Sequence, residues 1–393
     1  MRKYVISIEV GLVAVIIACV IYLIYISIDK QEIEPSQVET LTKAENESRV
    51  DTEKVKYTTA REVVNGIVVG WNLGNTLECY DNRSYSDITQ KGEEKAIYYE
   101  TCWGTPYTQE HIIDTVYQMG FNAVRIPITY RNHMDKHGVI DIEWLQRIQE
   151  IVDWVIERDM YCIINLHHDT GTKGWLMAEE DNFDVNNTLF SKIWTQISDY
   201  FQDYDEHLIF EGFNELINEE GQWESSDQAS YQIANKYNQI FVDTIRRGNG
   251  YNPQRCLLLN TYAANSSQET LSAFVLPKDT VDDRLIVSVH CYKGTEGFYI
   301  AIKRLSELFV SNNIPVIIGE MGMTNQVGRE QYIANILSKA TEYHIPCFLW
   351  DDAIHVKTPE EVYNYALINR DTGEWYFEDL MKIIMENVNG NNE

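Results

Sequence analysis

Residues 161–168 read Tyr161-Cys162-Ile163-Ile164-Asn165-Leu166-His167-His168. This short, mostly apolar run closed by two histidines has the length and composition of a parallel strand buried on both faces. Just before it, in 141–159, Leu145, Ile148, Val152, Val155 and Ile156 recur at helical spacing. Working outward, the same pairing of a short apolar run with a longer amphipathic one repeats along the chain. Strands are predicted over 66–74, 123–130, 161–168, 208–215, 256–262, 285–292, 315–322 and 346–353. Helices are predicted over 141–159, 191–204, 229–247, 298–311 and 330–343. Eight strands alternating with helices predict an α/β fold, the (β/α)8 TIM barrel. An open doubly wound sheet would want a Gly-rich phosphate turn after its first strand, and none follows.

Polar residues collect at the carboxyl ends of these runs. They are Asn72, Arg125, His167 and His168, Asn214-Glu215, His290 and Tyr292, Glu320, and Trp350. A barrel gathers such residues into one bowl at that rim, and ionisable groups in apolar strands cost folding stability, so a chemical use is expected. Two facing carboxyls in unequal surroundings are the equipment of glycosidic bond hydrolysis. Glu215 is read as the acid/base, its proton retained by burial and a negative neighbour. Glu320 is read as the nucleophile, held ionised by Arg125 and Tyr292. His290 is placed to bond near Glu215, Asn214 to bond a sugar 2-hydroxyl, and Trp350 to face a pyranose ring.

Several strings resemble glycoside hydrolase family 5, most closely its subfamily-4 endoglucanases and xyloglucanases. They are Gly70-Trp71-Asn72-Leu73-Gly74-Asn75-Thr76-Leu77-Glu78, Glu100-Thr101-Cys102-Trp103-Gly104 and Phe121-Asn122-Ala123-Val124-Arg125-Ile126-Pro127. Ile164-Asn165-Leu166-His167-His168-Asp169, Phe213-Asn214-Glu215, Val287-Ser288-Val289-His290-Cys291-Tyr292 and Pro315-Val316-Ile317-Ile318-Gly319-Glu320 follow in the family's order. The resemblance implies a retaining endo-β-1,4-glucanase barrel with its acid/base at Glu215 and its nucleophile at Glu320. It also implies the supporting set Arg125, His167, Asn214, His290, Tyr292 and Trp350. A β-mannanase of the same family, or a non-catalytic cell-surface glycan-binding protein, is the alternative. Leu216 in place of the usual Pro, Tyr130 where relatives often show Trp, and Leu349-Trp350-Asp351-Asp352 where Trp-Trp-Asp-Asn is more familiar bear on the choice of polymer.

The remaining candidates are weighed in the same way. Trp71, Trp103, Trp175 and Trp223 fall in or beside strand-to-helix loops. Trp71 and Trp175 join Asn72, His168 and Trp350 as expected substrate-binding residues. Glu211 and Asp351 are set aside because a strand alternates its faces. His167-His168-Asp169 invites a metal, but the first strand has no His-x-His pair and no carboxylate bridges a second metal. No metal and no cofactor is assigned. Cys79 and Cys102 fall in one loop region and spacing leaves their pairing open.

The 393 residues carry 32 Lys+Arg against 60 Asp+Glu, a net charge of −28. That surface repels a phosphate backbone, so nucleic acid is excluded as a partner and neutral polysaccharide is not. Met1-Arg2-Lys3 precedes 10–28, apolar except for Ser27 and long enough to cross a hydrocarbon core. Basic before the span and acidic after it, the flanks predict a signal anchor over 1–28. A cleaved signal peptide and secretion is the alternative. Residues 29–55, with eight acidic and four basic side chains and no aromatic, read as a flexible linker. The catalytic barrel is expected over 56–393, acting as a monomer outside the cytoplasmic membrane of a bacterial cell.

Overall fold

The structure is a computed structural model describing residues 57–83, 85, 94–224, 227–354, 356 and 364–389. The anchor and linker expected over 1–55 lie outside the described residues. No described helix is long and apolar enough to cross a membrane.

All eight expected strands form, each shorter than its apolar run: β1 Gly70–Leu73, β2 Ala123–Ile126, β3 Tyr161–Asn165, β4 Leu208–Glu211, β5 Leu257–Asn260, β6 Leu285–Cys291, β7 Val316–Met321 and β8 Cys347–Asp351. They pair in parallel in sequence order and β1 closes on β8, with Asn72 opposite Trp350. The helices are α1 Ala60–Gly66, α2 Lys95–Thr101, α3 Glu110–Met119, α4 Ile142–Ile156, α5 Phe183–Tyr200, α6 Gln228–Arg246, α7 Gln268–Ala273, α8 Thr295–Leu308, α9 Arg329–Glu342 and α10 Glu378–Asn389. In α4 the residues Trp144, Leu145, Ile148, Ile151, Val152 and Val155 are buried, the stripe that a helix laid on a barrel requires. Gly120, at φ 110°, ends α3 in the left-handed conformation that glycine adopts without strain.

Alternation along the strands sorts side chains into two cores. One parity, including Trp71, Val124, Ile164, Phe210, Leu259, Val289, Ile318 and Leu349, packs outward in the larger core shared with the helices. The other parity points into the barrel. There Ala123, Ile163, Ile209, Leu258, Ile286, Ile317 and Phe348 form an apolar floor with Ala60, Val63, Val64 and Ile67 of α1. α1 precedes the first strand, where no helix was expected. Thr59 and Glu62 close a capping box at its start, and its apolar face plugs the barrel. Gly70 has no side chain because a Cβ there would lie 2.1 Å from the Phe348 ring.

Two residues further along, about 7 Å above the floor, the inward positions turn polar. They are Asn72, Arg125, Asn165, Glu211, Asn260 and Ser288, with Gly319 and Trp350 completing the ring. Asn214-Glu215 and His167-His168, expected at strand ends, stand just past them. There Asn214 N–H donates to the Leu166 carbonyl and His167 N–H to that of Ile128.

Candidate active site

Arg125, fully buried, organises the polar layer. Its Nε and Nη2 donate to the two oxygens of Glu211 at 2.6 and 3.0 Å. Nη1 donates to Glu320 Oε1 at 2.8 Å and to Asn72 Oδ1 at 3.0 Å, and Nη2 also to Asn214 Oδ1 at 2.9 Å. Burial works against the guanidinium charge, but Glu211 and Glu320 outweigh it and hold the pKa above its ordinary value. The contact to Asn214 turns that amide's oxygen toward the arginine and its nitrogen away from it.

Glu320 is buried on β7. Its second oxygen accepts from the Tyr292 hydroxyl at 2.9 Å and lies 3.6 Å from His290 Nδ1. Burial pushes its pKa up while His290, Arg125 and the Tyr292 hydrogen bond pull it back. The phenol is held in its protonated, donating form, its pKa raised by burial and by the charge of Glu320. His290 Nδ1 lies 2.8 Å from Glu215 Oε1, and burial lowers the imidazole pKa to about 4. Gly319 makes room for this ring: a Cβ there would lie 2.7 Å from Ser288 Oγ and 3.2 Å from His290 Nε2.

Glu215 differs from its partner. Its side chain is 22% exposed, against 7% for Glu320, and it opens on a cleft of about 350 Å³ lined by Tyr80, His168, Thr170, Asn214 and Trp223. Desolvation raises its pKa to about 7; Arg125 opposes that rise and the Glu211 carboxylate adds to it. Ligand atoms of Glu215, His290 and Glu320 all lie within 4.8 Å of one another. Among the described residues this is the one group with the spacing to hold a metal ion. Each member is engaged by the others or by Arg125 and Tyr292, an arrangement suited to holding and passing a proton. Larger cavities, about 420 and 410 Å³, border α1 at the floor end of the barrel, away from both carboxylates.

His167 is 3% exposed, with Nδ1 3.3 Å from Asn165 Nδ2 and its ring stacked on Trp350 at 5.9 Å. His168 lines the cleft and meets Tyr80 and Trp103 at centroid distances of 5.4 and 5.6 Å. Burial lowers its pKa to about 4, so it too is neutral near pH 7.

Nine of the twelve expected site residues thus meet at one rim: Arg125, His167, His168, Asn214, Glu215, His290, Tyr292, Glu320 and Trp350. Three expectations are corrected. Trp71 has no exposed surface and the outward parity; its indole N–H donates to Asp351 Oδ2 at 3.1 Å, so it cannot meet a sugar. Asn72 points inward but is fully buried, donating to the Gly319 carbonyl at 3.0 Å and accepting from Arg125, so it positions the arginine instead of binding substrate. Trp175 is half-buried, its indole pinned to Asp169 Oδ1 at 2.8 Å, and does not line the cleft beside Glu215. Glu211, set aside on parity, in fact faces inward with Ile209. Asn260 of β5 faces it and donates to Glu211 Oε1. Tyr80 was not singled out, because nothing in the sequence brings its loop to the cleft.

The family profile described as Cellulase (glycosyl hydrolase family 5) matches residues 87–354. Endoglucanase B of Ruminococcus albus is 36% identical over 381 residues, covering 91% of this chain and 85% of its own. A GH5-4 broad specificity endoglucanase from Ruminococcus champanellensis, solved with bound cellotriose, is 34% identical with a TM-score of 0.76, over 84% of this chain and 99% of its own. A family 5 glycoside hydrolase from Prevotella bryantii, solved as a mutant with a xyloglucan tetradecasaccharide, is 30% identical with a TM-score of 0.76, over 85% of this chain and 99% of its own.

Proposed function

The chain belongs to glycosyl hydrolase family 5, and from that premise we propose that it is a retaining endo-acting hydrolase of β-1,4-glucan backbones: cellulose-type chains, mixed-linkage glucan or xyloglucan. The observation that carries the retaining chemistry is the approach of Glu215 and Glu320 oxygens to within 4.8 Å. Double displacement uses carboxyls about 5–5.5 Å apart, whereas inversion needs about 6.5–9.5 Å to admit a water. The names and bound sugars of the relatives support the substrate class.

In the first step Glu320 attacks the anomeric carbon as Glu215 gives its proton to the departing glycosidic oxygen. A glycosyl ester on Glu320 results. In the second step Glu215, now a carboxylate, takes a proton from water as that water attacks the same carbon, and Glu320 is released ionised. Tyr292 and Arg125 hold the nucleophile, and His290 orients Glu215. The Asn214 amide nitrogen and the Trp350 face are the contacts read for the sugar.

The test is reducing-end release from barley β-glucan, xyloglucan, carboxymethylcellulose and mannan by the full chain in mild detergent, with NMR of the first-formed anomer. A β-anomer from glucans is expected. An α-anomer would sink the retaining mechanism, and faster release from mannan would make the protein a mannanase. Glu215→Gln should lower kcat by roughly 10²–10⁴-fold, and full activity in Glu320→Ala would remove the nucleophile assignment. The location proposed for the barrel is extracytoplasmic, anchored by 1–28 and spaced by 29–55, as a monomer. Supporting it are the apolar run, its basic flank and the acidic linker composition. Release of the protein from membranes by high salt without detergent would refute the anchor.

A further inference from the structure

We propose that Cys79 and Cys102 form a disulfide that ties together the two segments carrying the aromatic wall of the cleft. Cys79 follows the β1 loop and is buried; Cys102 ends α2 and is half-buried, and both are free thiols in the structure. Each thiol lies near enough to the other to perturb its ionisation. Each cysteine is followed by an aromatic ring of this wall: Tyr80 lines the cleft, and Trp103 packs on Tyr80. Those rings meet edge to face at 5.3 Å, and the Trp103 indole N–H donates to the Tyr80 carbonyl at 3.0 Å. Both pack on His168, and Arg131 lies over Tyr80 at 4.9 Å. The wall is therefore held by weak ring contacts and one hydrogen bond, directly beside the thiol pair.

The chemistry favours Cys102 as the attacking group. It is the more accessible of the two, half-buried where Cys79 is fully buried, so its thiolate forms and reaches an external disulfide more readily. The co-reactant is a small-molecule disulfide. Cys102, as thiolate, attacks one sulfur and expels the first thiol. Cys79 then attacks the Cys102 sulfur of the mixed disulfide, its proton leaving with the second thiol. Two protein thiols and one external disulfide thus become one protein disulfide and two external thiols, with no other reductant or oxidant required. The other four free cysteines among the described residues, Cys162, Cys256, Cys291 and Cys347, are buried in the core.

The cross-link does not depend on the enzymatic reading; its effect on substrate does, and separate readouts keep the two apart. The full chain in mild detergent is equilibrated with dithiothreitol or with oxidised glutathione, then alkylated and weighed. Expected in the oxidised sample are a mass lower by two alkyl groups, a Cys79–Cys102 cross-linked peptide, and a Tm about 4–10 °C higher than in the reduced sample. Cys102→Ala should show the same Tm in both buffers. Alkylation of both cysteines after oxidation, a glutathione adduct as the end product, or a redox-dependent Tm in Cys102→Ala would overturn the cross-link. If the wall binds sugar, KM for xyloglucan falls by about two- to tenfold on oxidation with kcat within about twofold, through preorganisation. An unchanged KM in a fully cross-linked sample would overturn the link to the cleft.

Discussion

Arg125 stands between two carboxylates, and what surrounds it decides how the two glutamates of the reaction differ. Breaking a buried pair of this kind leaves a charge without its partner, so each member bears on the others. Glu211 is the informative case. It is expected to act by position and charge: it clamps Arg125 and is a negative neighbour of Glu215. Glu215 must be protonated to act, so activity is present below its pKa of about 7 and lost as pH rises through it. Removing the Glu211 charge favours the ionised form of Glu215, so Glu211→Gln should move the alkaline limb of the kcat/KM profile to lower pH. A purely structural role would lower the profile evenly and leave the limb in place. Glu211 was within reach of the sequence, since Ile209 and Glu211 share a parity. Which parity faces inward was not, because both faces of this strand are buried and apolar periodicity cannot tell them apart. The same ambiguity misled the reading of Trp71 and gave no warning that Asn72 would be sealed beneath the site.

At the scale of elements, all eight strands were legible because buried parallel strands are written as short apolar runs between helical patterns. Their limits were not: the ladder ends where the chain turns to build the rim, and residues such as Phe213 remain apolar beyond it. Helix α5 begins at Phe183, eight residues before the expected start, because its first turns carry an exposed Val185 and polar neighbours in place of an apolar stripe. Helix α1 was missed because seven residues are too few to show a period. Its role is testable through its cap. Thr59→Ala removes the capping bond to the Glu62 N–H and should cost about 0.5–2 kcal/mol, read from the urea midpoint. Phe348→Ala, which opens a void in the floor that α1 seals, should cost about 3–5 kcal/mol by the same measurement. Gly319→Ala should instead spare most of the stability and depress kcat, because the added methyl displaces His290.

Over the whole molecule the charge of −28 sets how a polymer approaches. Neutral xyloglucan is indifferent to it, whereas carboxymethylcellulose brings like charge to an acidic surface. Raising sodium chloride from about 10 mM to 0.2 M shortens the screening length from about 30 Å to below 10 Å. KM for carboxymethylcellulose should fall over that range while KM for xyloglucan stays level, as initial rates in parallel salt series would report. Equal responses would place the charge too far from the cleft to matter. The two interior layers also bear on how such a protein can change through descent. The floor and the polar layer occupy the same strands, two positions apart, yet the apolar packing of the barrel interior belongs to the first. Replacing Glu320 by glutamine would leave Arg125 its two hydrogen bonds to Glu211, so its charge keeps a partner, and loss of an active-site group commonly costs function more than stability. A lineage could thus fall catalytically silent in one substitution and persist as a folded, sugar-holding body. Selection for cutting, and not for folding, must be what keeps both carboxylates in place.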